Sequence, residues 1–192
     1  MGKKGNETKQ HIKEQAKILF AEKGFKVVTM KDICEATGLS RGGLYRHYDG
    51  TDRVFSEIIS EFLDVQNDIF SESIEKKVSA SEILNVIFNT YQSEMLDKKR
   101  SLSMAIYEYF SSKDIAESEN MLLKQYQLSL DCWDKLIKYG ISRGEFKCVD
   151  TKGVFDLILF SYQGVRMYSQ LMPIQQETPM RIFEQIKQIL LK

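Results

Sequence analysis

The chain has 192 residues, of which 43% are hydrophobic, and its 27 basic and 27 acidic side chains give a net charge of zero. This mixture excludes a disordered or collagen-like chain, and the sequence has no run of about 18 apolar residues that would predict a membrane span. The charged N-terminus leads into no apolar segment, so we expect no signal peptide and a cytoplasmic location.

Apolar residues recur at helical spacing along nearly the whole chain. The first predicted helix covers residues 7–23, with Asn6 as its N-cap and Gly24 as the residue that ends it. Thr29 stands three residues before Asp32, the spacing of a capping box, and this predicts the start of a second helix.

The second helix is predicted to stop at Gly38, and a third to run from Arg41 to about Tyr48. The same periodicity predicts six more helices, over about residues 51–73, 80–96, 98–111, 115–140, 151–171 and 179–191. The chain is therefore predicted to be all-α, with about nine helices and no internal repeat.

The second and third predicted helices are joined by a turn that contains Gly38. This glycine can adopt the left-handed conformation that lets the next helix leave at a steep angle, and Ser40 can cap that helix and reach a phosphate. Two short helices across such a turn, supported by a longer first helix, are typical of a helix-turn-helix DNA-binding domain. We place this domain at residues 1–50 and a second helical domain at residues 51–192.

The third helix contains two adjacent glycines, Gly42 and Gly43, which cost about 1 kcal/mol each relative to alanine. A helix that enters a groove can use them, because backbone without side chains can approach bases and phosphates closely. The side chains that could contact DNA are Arg41, Tyr45, Arg46, His47 and Tyr48. The alternative is an amphipathic connector that buries Leu44 and Tyr48, and for His47 a metal role is the alternative to a phosphate contact.

The charge distribution agrees with DNA binding at this end of the chain. Residues 1–50 hold ten Lys and Arg against six Asp and Glu, a net charge of +4, and the remaining residues hold seventeen against twenty-one, a net charge of −4. A basic first domain suits contact with a polyanion, although a solvated surface often has such an imbalance.

Many residues at fixed spacings carry a family pattern in this region: Gly24, Phe25, Thr29, Asp32, Ile33, Ala36, Gly38, Leu39, Ser40, Gly42, Leu44, Tyr45 and Tyr48. Over about residues 8–55 this pattern resembles the N-terminal signature of the TetR family of bacterial regulators. The resemblance implies a three-helix DNA-binding domain, a ligand-binding body and a dimer built mainly from the last two helices. It also implies that Thr29, Lys31 and residues 40–47 face DNA.

The sequence departs from the family pattern near the start of the fourth helix. The family usually has a lysine there that contacts a phosphate, whereas this chain has Thr51, flanked by Asp49 and Asp52. Thr51 can still donate its hydroxyl, and Arg53 can compensate for the missing charge. We expect DNA binding to depend less steeply on salt than in a lysine-bearing relative, by about one unit of slope.

The last two predicted helices suit a subunit interface. The helix over about 151–171 is apolar on two faces, and the helix over about 179–191 has a narrow apolar stripe. Ser161 and Gly164 would let another helix approach closely. We expect an intermolecular four-helix bundle, hence a homodimer that places two recognition helices roughly 34–36 Å apart on a palindromic operator; burial within a monomer is the alternative.

Most aromatic and methionine residues follow residue 50, and such side chains suit a small apolar or amphipathic ligand. Each also suits ordinary core packing, and the family resemblance is what favours a ligand site. The candidates are Tyr91, Met95, Met104, Tyr107, Phe110, Tyr126, Trp133 and Phe160. Ligand binding would change the spacing of the two DNA-binding domains and weaken DNA binding.

The sequence therefore predicts a transcriptional regulator, a repressor that a small molecule releases from double-stranded DNA, with activation left open. An alternative is an interaction protein of the same fold that has lost DNA binding, which Asp49 and Asp52 would favour. The sequence has no nucleophile elbow, phosphate loop or HExxH motif, and its three cysteines and two histidines are scattered, so we predict no enzyme, no metal and no cofactor.

Overall fold

The computed structural model describes residues 3–64, 69–99 and 101–192, with the side chains of residues 3, 4 and 62–64 left aside. Within these ranges the only pairing of β type is an isolated bridge between Phe146 and Leu191. The described helices are α1 (Lys3–Lys23), α2 (Met30–Thr37), α3 (Arg41–Tyr45), α4 (Thr51–Asp64), α5 (Ser71–Glu75), α6 (Ala80–Met95), α7 (Ser103–Ser111), a 3-10 turn (Glu117–Glu119), α8 (Met121–Ser142), α9 (Thr151–Leu171) and α10 (Thr178–Leu190). The all-α prediction is confirmed, with ten α-helices among the described residues instead of about nine.

Capping residues explain some of the boundaries of α1 and α2. Gly24 ends α1 in the left-handed region, at φ 81°, as predicted. The predicted N-cap at Asn6 is wrong, because α1 already begins at Lys3. The capping box of α2 is confirmed: the Asp32 amide donates to Thr29 Oγ1 over 3.2 Å, and the Thr29 amide donates to Asp32 Oδ2 over 2.9 Å.

Four predicted helices are shorter than their apolar periodicity indicated. The helices predicted over about 98–111 and 115–140 begin only at Ser103 and Met121, and the second of these follows a 3-10 turn. The third predicted helix of the chain ends at Tyr45 instead of Tyr48, because the His47 amide bonds to the Leu44 carbonyl over 2.9 Å and tightens the last turn. The predicted helix 51–73 is interrupted, since residues 69 and 70 form a turn before α5. Phe70 at this turn is buried, with its ring edge-on to Trp133 at 5.1 Å, so core packing favours the bend.

Contacts divide the chain into two compact units, Met1–Val65 with Lys99–Glu119, and Gln66–Lys98 with Asn120–Lys192. The first unit holds α1 to α4 and α7. Its core includes a group of four aromatic rings whose centroids lie 4.6 to 5.9 Å apart, contributed by Phe20, Phe25, Phe55 and Tyr109. The domain boundary predicted after residue 50 stays a prediction, and the unit that contains α3 includes α4 and α7 as well.

The second unit packs α6, α8, α9 and α10 around an apolar core. Phe88 and Phe183 stack at 4.3 Å between ring centroids, and Trp133 lies beside Phe88 at 6.1 Å. Gly140 allows the ring of Phe146 to come close to α8, because a Cβ at Gly140 would overlap that ring. None of the described helices is both long and apolar enough to cross a membrane.

Helix α9 presents two different faces. One is buried in the core of the second unit through Val154, Phe155, Ile158, Val165 and Ser169. The other is an apolar stripe, which we call the α9 stripe and which consists of the exposed Leu157, Phe160, Tyr168 and Leu171 and the half-buried Gly164. A Cβ at Gly164 would meet no atom within 4 Å, so this part of the stripe is open.

Candidate nucleic-acid interface

The turn between α2 and α3 is fixed by three local features. Gly38 follows α2 in the left-handed region at φ 69°. Ser40 caps α3 by accepting a 3.1 Å hydrogen bond from the Gly43 amide. Leu44 is completely buried and holds the inner face of α3 against the core of its unit. Together they orient a short helix whose opposite face stays in solvent, as the helix-turn-helix prediction requires.

Most of the residues predicted to contact DNA lie on this solvent-facing surface. The side chain of Tyr45 is 52% exposed, the highest value for an aromatic residue in the helix-turn-helix. The other exposed members of the predicted set are Thr29, Lys31, Ser40, Arg41, Gly42 and Arg46, and Gly43 and Thr51 are half-buried. Thr29 and Ser40 also serve as helix caps, so their hydroxyls hold the backbone in place.

Two predicted contact residues are placed differently. Tyr48 is only 1% exposed, and its hydroxyl donates a 2.8 Å hydrogen bond to Glu57 of α4, so its side chain supports the interface from inside. Burial, followed by the bond to Glu57, raises the pKa of Tyr48 above its usual value. His47 is half-buried, and its Nδ1 atom is buried without a hydrogen-bond partner among the described residues.

The adjacent glycines have different surroundings. A Cβ at Gly42 would meet no atom within 4 Å, so the backbone of α3 is bare at this point. A Cβ at Gly43 would lie 3.3 Å from Ser40 Oγ, the atom that caps the helix. The fold itself therefore explains the glycine at position 43, since a larger residue would crowd Ser40. Gly42 leaves space for a molecule that approaches α3 from outside.

The acidic residues at the start of α4 do not act as one negative patch. Asp52 forms an ion pair with Lys113, just beyond α7, and Asp49 is exposed. Arg53 lies 3.5 Å from Glu57 and is 65% exposed, so its charge is partly engaged and still reaches solvent. The charge of Asp52 is thus offset within the same unit.

Sequence reasoning missed the part that α7 plays in this unit. The Glu108 carboxylate accepts a 2.9 Å hydrogen bond from the Lys26 amide, and a Cβ at Gly24 would lie 2.7 Å from Glu108. Tyr109 packs edge-on to Phe25 at 5.0 Å. Helix α7 therefore stabilises the turn that follows α1, and no local signal reveals this, because the partners are more than 80 residues apart.

The predicted ligand-binding residues fall in both units. Met104, Tyr107 and Phe110 lie on α7 in the first unit. In the second unit, Met95 and Trp133 are buried, Tyr91 and Tyr126 are half-buried, and Phe160 is 63% exposed on the α9 stripe. The structure thus brings Tyr91 and Trp133 close, with centroids 6.4 Å apart, and leaves Phe160 on the surface.

A polar cluster beside Tyr91 was also missed. The Tyr162 hydroxyl donates to Glu94 Oε2 over 2.6 Å and accepts a hydrogen bond from Arg166. The rings of Tyr91 and Tyr162 lie 4.6 Å apart. The signal in the sequence was a single arginine inside the apolar run of α9, four residues after Tyr162, which is one helical turn.

A surface cavity and a metal site are two further kinds of place where a ligand could bind. A surface cavity of about 370 Å³ is lined by Lys147, Glu184, Lys187, Gln188, Leu191 and Lys192, none of which was predicted to bind a ligand. Across the described ranges, no three His, Cys, Asp or Glu side chains come together as a metal site.

Family comparisons match most of the chain. Residues 12–58 match the model described as bacterial regulatory proteins, tetR family. Residues 83–177 match the model described as tetracyclin repressor-like, C-terminal domain. The first match covers α2 and α3, and the second covers most of α6 and all of α7, α8 and α9.

Individual proteins agree with these matches. The chain is 31% identical to the HTH-type transcriptional regulator YfiR of Bacillus subtilis (strain 168), over 74% of this chain and 73% of that protein. It is 27% identical to the HTH-type transcriptional repressor KstR2 of Rhodococcus jostii (strain RHA1), over 76% and 70%. The fold matches a TetR-family regulator of Agrobacterium tumefaciens with a TM-score of 0.79 at 12% identity, over 98% of this chain and 100% of that one.

Proposed function

Since the chain belongs to the TetR family of bacterial regulatory proteins, we propose that it is a homodimeric repressor that a small molecule releases from a palindromic operator. It regulates transcription as the family does. The repressor role rests on the name of the Rhodococcus relative. The cytoplasmic location follows from the need to reach DNA.

The observation that carries the proposal is the solvent-facing surface of α3. Arg41 and Tyr45 of α3 are exposed, as is Arg46 at its C-cap, whereas Leu44 and Tyr48 are buried. Guanidinium groups bind phosphates and guanine edges with two hydrogen bonds, and a rigid tyrosine adds contact area at low entropic cost. We assign the DNA contacts to Arg41, Tyr45 and Arg46, with Thr29, Lys31, Ser40, Gly42, Gly43 and Thr51 along the same surface and the half-buried His47 after Arg46. Tyr48 has a supporting role.

The α9 stripe supports the dimer. Its apolar side chains are 49 to 63% exposed, although single exposed apolar residues would be unremarkable on a monomer. The spacing of three or four residues between the stripe positions along α9 puts them on one face, and α10, which packs against α9, also exposes Met180 and Ile189. Two copies of such a face bury each other under two-fold symmetry, which matches the symmetry of a palindrome.

DNA binding is tested with the purified full-length protein and the DNA upstream of its own gene. Fluorescence anisotropy over a salt series is expected to show binding well above the non-specific level. Arg46→Ala and Tyr45→Ala should each weaken it by about tenfold or more, because each removes an exposed contact of α3. Lys152→Ala, an exposed change at the start of α9, is the matched control and should bind like the wild type.

Two results would contradict the proposal. Affinity that stays non-specific at low salt, with a folded protein, would indicate an interaction protein of the same fold. Unchanged affinity in both α3 variants would move the contact surface away from α3.

A further inference from the structure

We propose that the helical body binds an amphipathic organic anion, whose carboxylate or phosphate group is held by Arg166 and Tyr162. The inference deepens the proposed function and rests on it, since it names the class of small molecule. It is carried by a cluster in the second unit, the anion cluster, which consists of Tyr91, Glu94, Tyr162 and Arg166.

The burial of the two charged groups is unequal. The side chain of Arg166 is 12% exposed, whereas that of Glu94 is 46% exposed. A guanidinium that is already desolvated binds an anion without a further desolvation cost of its own, and its attraction is screened less than that of a surface charge. The more deeply buried charge of this cluster is the cation, so an anion that takes the place of the half-exposed Glu94 carboxylate is the ligand that the cluster favours.

Glu94 holds the position that a ligand anion would take. Its Oε2 atom accepts from the Tyr162 hydroxyl over 2.6 Å and lies 3.9 Å from Arg166 Nη1, which is beyond hydrogen-bond distance. The carboxylate is thus held by a hydrogen bond from the phenol and, at longer distance, by an ion pair with the guanidinium. Because it is half exposed, it can turn into water when another carboxylate or a phosphate binds the phenol and the guanidinium directly.

Aromatic rings beside the cluster would contact the apolar part of such a molecule. The centroid of the Tyr91 ring lies 4.6 Å from that of Tyr162, 6.4 Å from that of Trp133 and 6.3 Å from that of Phe183. Apolar and aromatic side chains around a few polar groups are the usual composition of a small-molecule site. A cationic ligand is less suited to this cluster, because Glu94 is exposed to water and lies near the positive charge of Arg166.

The test uses four probes with the same ten-carbon chain and different head groups: decanoate, decyl phosphate, decanol and decyltrimethylammonium. Binding to the full-length protein is measured by calorimetry and by the fluorescence of Trp133, the single tryptophan of the chain, which is 3% exposed. We expect the two anions to bind at least about tenfold more tightly than the alcohol and the ammonium compound.

Three variants separate the roles of the residues. Arg166→Gln should weaken the anions by about tenfold or more and leave decanol unchanged. Glu94→Gln should tighten the anions severalfold, because it removes the competing carboxylate. Arg143→Gln is the matched control, since Arg143 also pairs with a glutamate, Glu145, and lies over a tyrosine ring in the same unit. If Arg166→Gln does not fold, the probe series on the wild type and Glu94→Gln still decide the question.

Several results would overturn the inference. These are equal binding of anion and alcohol, tighter binding of the ammonium compound, weaker anion binding by Glu94→Gln, or no binding of any probe. Operator binding by the same preparation is measured in parallel. If it persists while the probes fail, the ligand class is wrong and the proposed DNA-binding function stands; if it is absent, the proposed function itself fails.

Discussion

The Tyr48 hydroxyl donates a 2.8 Å hydrogen bond to Glu57, and this bond ties the segment after α3 to α4. Lys9 of α1 donates to the same carboxylate over 3.2 Å and lies 4.8 Å from the Tyr48 ring. One carboxylate thus connects three parts of the DNA-binding unit. The orientation of α3 depends on this connection as well as on the helix-turn-helix turn.

Removal of the Tyr48 hydroxyl should destabilise the protein without removing an exposed DNA contact. Tyr48→Phe loses a hydrogen bond to a partly buried charged acceptor, and we expect a loss of about 1–2 kcal/mol in the free energy of unfolding. Urea denaturation measures it. Tyr45→Phe is the control, because Tyr45 is 52% exposed, and its stability should equal that of the wild type. Equal stability of both variants would contradict a structural role for the bond.

Stability should depend on pH through Glu57. Burial works to raise the pKa of Glu57, but the hydrogen bonds from Tyr48 and Lys9 and the charges of Lys9 and Arg53 outweigh it, so the pKa lies below its ordinary value of 4.5. A carboxyl with a lowered pKa in the folded state stabilises the protein fully above 4.5 and loses this contribution as pH falls through the folded-state value. The stability difference between wild type and Glu57→Gln should therefore be constant near neutral pH and shrink below 4.5. Urea titrations at a series of pH values test this, and a constant difference down to the acid transition would refute it.

Gly42→Ala should separate stability from DNA binding. The new methyl group meets no atom of the protein within 4 Å, so the unfolding free energy should stay the same or rise by up to about 1 kcal/mol. If DNA approaches the bare backbone of α3, the methyl group should lower operator affinity by about tenfold, or about 1.4 kcal/mol. Gly43→Ala is the contrast, since its Cβ crowds Ser40 and should affect stability too. Wild-type affinity in Gly42→Ala would show that DNA does not come close there.

Thr51→Lys should restore the phosphate contact that the family pattern expects. The plot of log affinity against log salt should steepen by about one unit, because one more counterion is released on binding. Anisotropy titrations over a potassium chloride series measure the slope. Ser142→Lys adds the same charge at the end of α8 and should leave the slope unchanged. No steepening in Thr51→Lys would mean that the start of α4 does not face a phosphate.

Phe160→Glu should prevent formation of the proposed homodimer. Light scattering of the wild type should give a mass near 45 kDa, twice 22.3 kDa, and the variant should approach 22.3 kDa at micromolar concentration, because the charge would be buried against a second copy. Val86→Glu is the matched control, since Val86 is 62% exposed against 63% for Phe160 but lies on α6. A monomeric wild type, or a dimer in both variants, would rule out the α9 stripe as the interface.

The sequence by itself determined the helix-turn-helix. The cap at Thr29, the left-handed Gly38 and the cap at Ser40 all act over two or three residues, so the interactions that set them are visible in the order of residues alone. The all-α class followed equally from periodicity along single helices. Local chemistry sets these features without contacts between distant parts of the chain.

Only the tertiary structure decided which candidate residues face solvent and which come together. Periodicity placed Tyr48 near the DNA contacts, and packing against α4 buried it. Glu94 and Arg166 are more than 70 residues apart in the sequence and form an ion pair in the structure. The segment Lys99–Glu119, which contains α7, belongs to the same compact unit as the helix-turn-helix. Contacts of this kind depend on which helices pack together across long sequence separations. Several helices have similar apolar patterns, and only the complete fold determines which of them are neighbours.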